Sequence, residues 1–534
     1  MPIPGGPRPD HVVPRPLAEV LAQLGQVRTD APGGPDPLVT GVTLSSRTVR
    51  PGDLYAALPG LRTHGAEYAA DAARAGAVAV LTDPPGAARA AGAGVPVVVV
   101  PDPRAVLGGL AAWVYGDPGE KLLTLGVTGT NGKTTTTSML DAALRPAGRR
   151  TGLVGTVELR LGDERIPSTG TTPDAPDLHA LLAAMVERGV TVCSMEISSH
   201  ALALHRVDGL VVDVAAFTNL TQDHLDFHGT MEEYFAAKAS LFTPERARRG
   251  VVCVDDEAGA KLASVLAAVP VTTVSTVADR PADWCVLAEG RDGGLPVARV
   301  SGPGVADLEL RSPLPGRFNL ANALVALAVL VEAGLDAEQA AKALAAAGPV
   351  PGRMERVGAP GSPAGAPLAV VDFAHSPDAV DQALAALRGT VTDGGPSSGP
   401  LVVVLGAGGD RDRDKRPVMG AAAARGADVV VVTDDNPRSE DPAAIRAAVL
   451  EGARAAARDT GAQVLEVAGR REAIAQAVRR AWGGGVVLVA GKGHEQGQEV
   501  AGVVHPFDDR TALRAALDDA AGRGTDSHDQ EAAR

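Results

Sequence analysis

Three cysteines in 534 residues, Cys193, Cys253 and Cys285, are odd in number and form no CxxC pair. That excludes a disulfide framework or a structural thiolate zinc site. Aromatic residues make up only 3% of the chain, so its cores must be filled by Ala, Val and Leu. No apolar run approaches the roughly 18 residues that a membrane-spanning helix needs. The opening MPIPGGPRPDHVVPRP lacks the continuous apolar core of a secretion signal. An excess of cationic side chains is also missing: 50 Lys and Arg stand against 64 Asp and Glu, a net charge of −14. This balance argues against a general binder of nucleic acid or anionic membrane, while leaving room for a local basic pocket. What is abundant is Gly (63) and Pro (40), hence turns, within an ordinary apolar fraction of 45%. The expectation is a soluble cytoplasmic protein that acts on small molecules, with no nucleic acid and no membrane. No apolar stripe marks an interface, so a monomer is expected.

At roughly 100 to 200 residues per domain the length accommodates about three domains. Residues 1–16 read as a flexible lead-in. Residues 17–118 form a mixed α/β segment, with strand character in AVAVL (77–81) and VPVVVV (95–100), closing at the Gly/Pro turn YGDPGE. Residues 119–350 carry short Val-rich runs, LLTLGVTG, VTVCSMEI, VDVAAFTN and GVVCVDD, which suit buried strands of a largely parallel sheet. Their last part, 321–348, reads as two helices broken near Gly334. Residues 351–521 repeat the pattern in LAVVDFAH, LVVVLGAGG, DVVVVTDDN and GGVVLVAGKG, as in a Rossmann-like domain, and 522–534 is a polar tail expected to fray. The fold class is therefore α/β in three domains: a mixed N-terminal module, a central parallel-sheet domain and a C-terminal Rossmann-like domain. Ligands in such folds favour the carboxyl ends of strands.

The strongest local signal is TLGVTGTNGKTTTT (124–137): an apolar strand, then Gly129-Thr130-Asn131-Gly132-Lys133-Thr134-Thr135, then a helix-compatible stretch. Glycines let backbone N–H groups and a helix N-terminus approach phosphate closely. Lys133 would reach the β- and γ-phosphates, and the Thr134 hydroxyl a Mg²⁺ ion. The strict phosphate-loop pattern wants Gly at 127; this chain has Val127, with Gly126 one place early. The loop alone does not separate kinases, switches, motors and ligases.

Further motifs follow in order: MEISSHAL (195–202), TNLTQDHLDFHGTMEEYFAAKASLF (218–242), FNLANA (318–323), PGRME (351–355), VDFAHSPDA, GAGGDRDRDKRPVMG, DDNPRSEDP and GKGHEQ. Together with GTNGKT they resemble the Mur ligases of peptidoglycan synthesis over essentially the whole chain. The resemblance implies an N-terminal uridine-binding domain, a central ATP-binding domain and a C-terminal amino-acid-binding domain. It also implies ATP as co-substrate and Mg²⁺ as cofactor. Taken singly, Glu196 is a solvated strand end, His224 a loop histidine and Lys238 a solvated helix lysine; the resemblance makes all three metal ligands or catalytic groups beside Lys133 and Thr134. For Lys238 it implies carbamylation by CO₂, which turns a cation into an anion able to sit beside Mg²⁺. His200, His205 and His228 keep the plainer reading of loop or capping histidines.

By the same likeness Asn322 reads the adenine, Arg353 pairs with the γ-phosphate and Asp372 holds the ribose, with His375 facing the nucleotide. The UDP-sugar peptide, UDP-MurNAc-L-Ala-D-Glu, falls to Leu44, Ser46, Leu61, Arg62 and Thr63 at its uridine end, and to Thr171, Thr172, Ser198 and Arg206 at its peptide. Two positions depart from the family pattern, His64 in the uridine loop and Leu204 after EISSHAL. Arg411, Asp435, Asn436, Pro437, Arg438, Gly491 and Glu495 match the family's diaminopimelate pocket, where Arg438 can fork a distal carboxylate. Singly, Ser and Thr in such loops are turn or capping residues, and DDNPR is an Asn-Pro turn with a surface arginine. The implied activity is ATP-dependent amide formation through an acyl phosphate. Rivals are a lysine-adding muramyl ligase, a folylpolyglutamate synthase-like ligase, and a non-catalytic nucleotide switch that needs only the phosphate loop.

Overall fold

Val-rich runs that are apolar on both faces are stable only inside a sheet covered on two sides. The chain builds three such sheets. The computed structural model describes residues 6–25, 28–30, 36–60, 63–168, 170–358, 365–392 and 399–531. The first sheet takes Gly41–Thr43, Asp53–Ala56, Ala79–Thr82 and Val97–Val99 in parallel, with Arg28–Asp30 antiparallel at its edge.

The central sheet has a parallel core ordered Thr151–Val154, Val192–Glu196, Leu123–Thr128, Val212–Phe217, Ala247–Cys253 and Val271–Ser275. Its two edges are extended by an antiparallel hairpin, 158–167, and by a meander through Trp284–Asp292, Leu295–Gly302 and Val305–Arg311. The meander was not expected from sequence, because its strands expose many positions, with alternate burial only in Leu295–Gly302, and contain no long Val run. The helix Arg317–Glu332 is apolar nearly all round and accordingly buried, packing with the helix Lys133–Leu144 against the sheet. The break near Gly334 is present, with the second helix at Ala337–Ala345.

The third sheet runs Glu355–Val357, Leu368–Asp372, Val486–Ala490, Leu401–Leu405, Val429–Val432 and Gln463–Glu466, all parallel but the first. The N-terminal expectation needs correction. Residues 6–16 are tied down: Arg8 donates from Nη1 to both oxygens of buried Asp53 at 2.7 and 2.8 Å, and Arg15–Pro16 pairs with Leu38–Val39. The tether is a buried ion pair, which a search for apolar runs does not detect. At the other end the helix Asp509–Glu531 is anchored in its first half by Ala512, Leu513 and Ala516 in the core.

Candidate active site

The strand Leu123–Thr128 delivers the glycine loop to the carboxyl edge of the central sheet. Val127 is fully buried within that strand, so the place where the strict pattern wants glycine is core here. Gly126 instead serves packing: a Cβ there would come within 2.6 Å of Ile197 Cδ1. Gly132 adopts φ +86°, and a Cβ on it would collide with Asn322 Oδ1. The helix Lys133–Leu144 starts directly after it, with no side chain capping its N-terminus, which leaves its N–H groups and dipole to an anion.

Two lysines converge on one carbonyl. Lys133 Nζ donates to Gly129 O at 2.8 Å and Thr130 O at 2.9 Å, and Lys238 Nζ donates to the same Gly129 O at 2.8 Å. Lys238 is 1% exposed, with Nζ 4.4 Å from the Tyr234 ring centroid. Burial, and then the neighbouring Lys133, push its pKa well below the ordinary lysine value. It is not the solvated helix lysine its sequence suggests.

Glu196 ends its strand 1% exposed. Its Oε1 accepts from Thr156 N at 2.7 Å, and its Oε2 from the Thr134 and Thr156 hydroxyls at 2.9 and 3.1 Å. Arg353, from the start of the third unit, donates Nη2 to Thr134 Oγ1 at 2.9 Å while stacking 4.4 Å from the Phe373 ring centroid. Guanidinium, hydroxyl and carboxylate thus form one line across the two units. A second bridge is Asn131, which donates Nδ2 to Asp378 Oδ2 at 3.1 Å and its backbone N–H to Asn219 Oδ1 at 2.9 Å. His224 stands at φ +54°, and burial pushes its pKa down to about 4 against the opposing charge of Asp223. Its imidazole is therefore neutral at pH 7, the form that can ligate a metal.

These groups face a cavity of about 430 Å³ between the central and third units. Of the residues expected at the nucleotide and metal, Thr130, Asn131, Gly132, Lys133, Thr134, Thr135, Glu196, His224, Asn322, Arg353, Asp372 and His375 line it. Gly129 and Lys238 stand behind the loop rather than on the wall. Asp372 has a structural task besides, accepting from Met354 N at 2.7 Å and Ala374 N at 2.8 Å. Met354 sits at φ +44°.

The amino-acid set reaches the same cavity: Arg411, Asp435, Asn436, Arg438, Gly491 and Glu495 line it, and Pro437 does not. Arg438 donates Nη1 to Gly409 O at 2.7 Å, with Nε 3.6 Å from Glu499. Of the peptide set only Thr171 lines the cavity. Thr172 bonds behind it to Glu196 O at 2.9 Å, Ser198 caps the helix Ser199–Ala203 by accepting from Ala201 N, and Arg206 donates to Thr172 O at 3.3 Å. Leu44, Ser46 and Thr63 belong to the first unit and lie off this cavity, while Leu61 and Arg62 fall outside the described residues. His64, one of the departures, caps the turn Gly65–Tyr68 and pairs with Asp83 at 2.9 Å. Leu204 offers its carbonyl to Arg104 at 3.5 Å.

Sequence reasoning missed Thr156, Asn219, Asp223, Phe373, Asp378 and Lys492. None has a sequence signal of its own; Asn219 and Asp223 stand inside TNLTQDHLDFHG, Lys492 inside GKGHEQ, and Phe373 and Asp378 inside VDFAHSPDA, so those five could have been taken with their motifs.

A phosphate loop faced by an arginine from a second α/β unit, with further polar groups of that unit on the same cavity, defines an enzyme that uses a nucleoside triphosphate. Family models narrow the class: residues 38–115 match "Mur ligase family, catalytic domain", 127–330 "Mur ligase middle domain" and 352–493 "Mur ligase, glutamate ligase domain". The chain belongs to the Mur ligase family of ATP-dependent ligases. It is 54% identical over 519 residues to the "UDP-N-acetylmuramoyl-L-alanyl-D-glutamate--2,6-diaminopimelate ligase" of Streptomyces avermitilis, covering 97% of this chain and 99% of that one. It is 48% identical to the "UDP-N-acetylmuramyl-tripeptide synthetase" of Leifsonia xyli subsp. xyli, with the same two coverages, 97% and 99%. Among solved structures, a UDP-N-acetylmuramoyl-L-alanyl-D-glutamate--2,6-diaminopimelate ligase superposes with a TM-score of 0.65 at 31% identity, over 95% of this chain and 99% of that chain.

Proposed function

We propose that the protein joins 2,6-diaminopimelate to the D-glutamate of UDP-MurNAc-L-Ala-D-Glu at the expense of ATP. The observation that carries this reading is the shared cavity: the phosphate loop and the Asp435–Arg438 segment with Glu495 open onto one space. The D-glutamate γ-carboxylate attacks the γ-phosphorus and ADP leaves, giving an acyl phosphate. The diaminopimelate amine attacks the acyl carbon, loses a proton, and the tetrahedral species collapses to the amide and inorganic phosphate. Lys133, Thr134, the helix N-terminus and Arg353 serve this sequence by binding and neutralising the transferring phosphoryl group. Closure of the third unit over the loop keeps water from the acyl phosphate. Arg438 suits the distal carboxylate, and Glu495 or Asp435 the distal ammonium.

The donor set fits Mg²⁺. Thr134 and Glu196 offer hard oxygens on one cavity wall with His224 nearby, and among the described residues no group of three or more His, Cys, Asp or Glu forms a complete protein cage. Mg²⁺ is commonly held by one or two protein oxygens, with phosphates and water completing the shell. When bound it supplies Lewis-acid polarisation of the phosphates. For Lys238, the depressed pKa supports the unprotonated amine that carbamylation by CO₂ requires. The chemistry concerns small molecules in solution, and among the described residues no helix is long and apolar enough to cross a membrane.

The test is phosphate release and product mass with purified protein, ATP, Mg²⁺, bicarbonate and UDP-MurNAc-L-Ala-D-Glu, offering diaminopimelate or lysine as acceptor. Tripeptide with diaminopimelate and little with lysine is the expected outcome. Tripeptide with lysine alone, or ATP turnover indifferent to acceptor, overturns the reading.

A further inference from the structure

Lys492 is a buried amine that the reaction as written does not use. It is 0% exposed, two residues beyond the strand Val486–Ala490, and Nζ donates to Asn436 Oδ1 at 3.0 Å and to Glu495 Oε2 at 2.9 Å. Both acceptors belong to the residues proposed to hold the incoming amino acid. We infer that Lys492 is a positioning residue for that acceptor: it fixes the orientation of the Asn436 amide and directs the Glu495 carboxylate toward the amino acid's ammonium. The inference rests on the proposed function above.

The network leaves little freedom. Asn436 Oδ1 also accepts from Glu499 N at 3.0 Å, while Asn436 Nδ2 donates to Glu495 Oε2 at 2.8 Å. Turning the amide over would set its N–H groups against two donors and its oxygen against a carboxylate. Lys492 therefore selects one rotamer of Asn436, whose backbone carbonyl separately accepts from Gly409 N at 2.9 Å, on the same stretch whose Gly409 carbonyl anchors Arg438. On Glu495, Oε2 is taken twice by the protein, from Lys492 and Asn436, whereas Oε1 makes no hydrogen bond among the described residues. The Glu495 side chain is 35% exposed and lines the cavity. A carboxylate with one oxygen held from behind and the other left to the cavity is arranged to accept from an ammonium. A Lys492 that merely filled space would have no need to meet two cavity residues at once.

The test compares wild type with K492M, of similar length and no donor, and K492Q, which keeps two N–H groups on a shorter stem. The acceptor KM should rise about 10- to 100-fold in K492M, the loss expected for hydrogen bonds to charged groups. K492Q should fall between, and both variants should keep the wild-type KM for ATP and affinity for ADP. An unchanged acceptor KM in either variant overturns the inference. So does a parallel rise in all three substrate KM values, which is the signature of general loosening. If K492M does not fold, K492Q decides on the same criteria. Wild type that makes no product with diaminopimelate refutes the proposed function, and this inference with it; a diaminopimelate-active wild type whose variants keep its acceptor KM refutes the inference alone.

Discussion

Replacing Arg438 by Met tests acceptor recognition most directly. The guanidinium has five N–H donors in a planar fork; Nη1 is committed to Gly409 O at 2.7 Å, and the side chain is 25% exposed at the cavity. A distal carboxylate held by two charge-assisted hydrogen bonds gains about 1.5–3 kcal/mol from each. Partial access to solvent pulls the pair toward the low end, so R438M should lose about 3 kcal/mol, roughly a hundredfold in kcat/KM for diaminopimelate. The structural cost is smaller. One guanidinium bond to a carbonyl, partly open to solvent, is worth about 1.5 kcal/mol, and the Glu499 contact, at 3.6 Å with that side chain 41% exposed, contributes little. R438K, which keeps the charge but not the fork, should lie between. Because lysine has no distal carboxylate, its own poor kcat/KM should hardly change, so the ratio between the two acceptors collapses. Phosphate release at varied acceptor, with ATP saturating, measures both. A diaminopimelate kcat/KM within about threefold of wild type in R438M would refute the reasoning, as would an equal loss for ATP.

Lys238→Met should fold at least as stably as wild type, because it removes a buried amine held by one carbonyl, yet lose turnover on the order of 100-fold or more; wild type supplied with isotopically labelled CO₂ should show a carbamate carbon signal that K238M lacks. Gly132→Ala puts a methyl group into Asn322 Oδ1 at a left-handed φ of +86°, a strain of about 1–2 kcal/mol before the clash, so calorimetry should find ADP affinity lowered at least about tenfold; wild-type affinity would contradict the close approach. The acid response of His494 has a definite sign. Burial, aided by Arg353, lowers its pKa from 6.5 to about 4, so between those values the unfolded chain holds more protons. Its contribution to stability is complete above pH 6.5 and is lost as pH falls toward 4. Thermal melts of His494→Gln across that window should therefore slope less steeply than wild type, and an unchanged slope would show that His494 is not the responding group.

The parallel cores of the second and third sheets were legible because a strand buried on both faces leaves a continuous Val run, as in VDVAAFTN and DVVVVTDDN. The meander 284–311 was not, since strands that leave many positions to solvent carry no long Val run and resemble loop sequence. Within the site, the phosphate loop could be read from local spacing alone, because its chemistry lies within seven consecutive residues. Lys238 shows the opposite case. Its helix neighbours promise a solvent-facing amine, and only the packing of Met231–Ala239 behind the loop sets it against Gly129.

By itself the sequence determined the buried parallel strands, the three-unit order and the phosphate loop, since each is written in residues near one another along the chain. Tertiary structure alone decided that residues 196, 353 and 134 form one bonded line, that two lysines share a carbonyl, and that Lys492 holds Asn436 and Glu495 together. Those relations depend on burial and on distances between segments tens to hundreds of positions apart, where the surrounding fold sets the protonation and orientation of each group and local composition is silent.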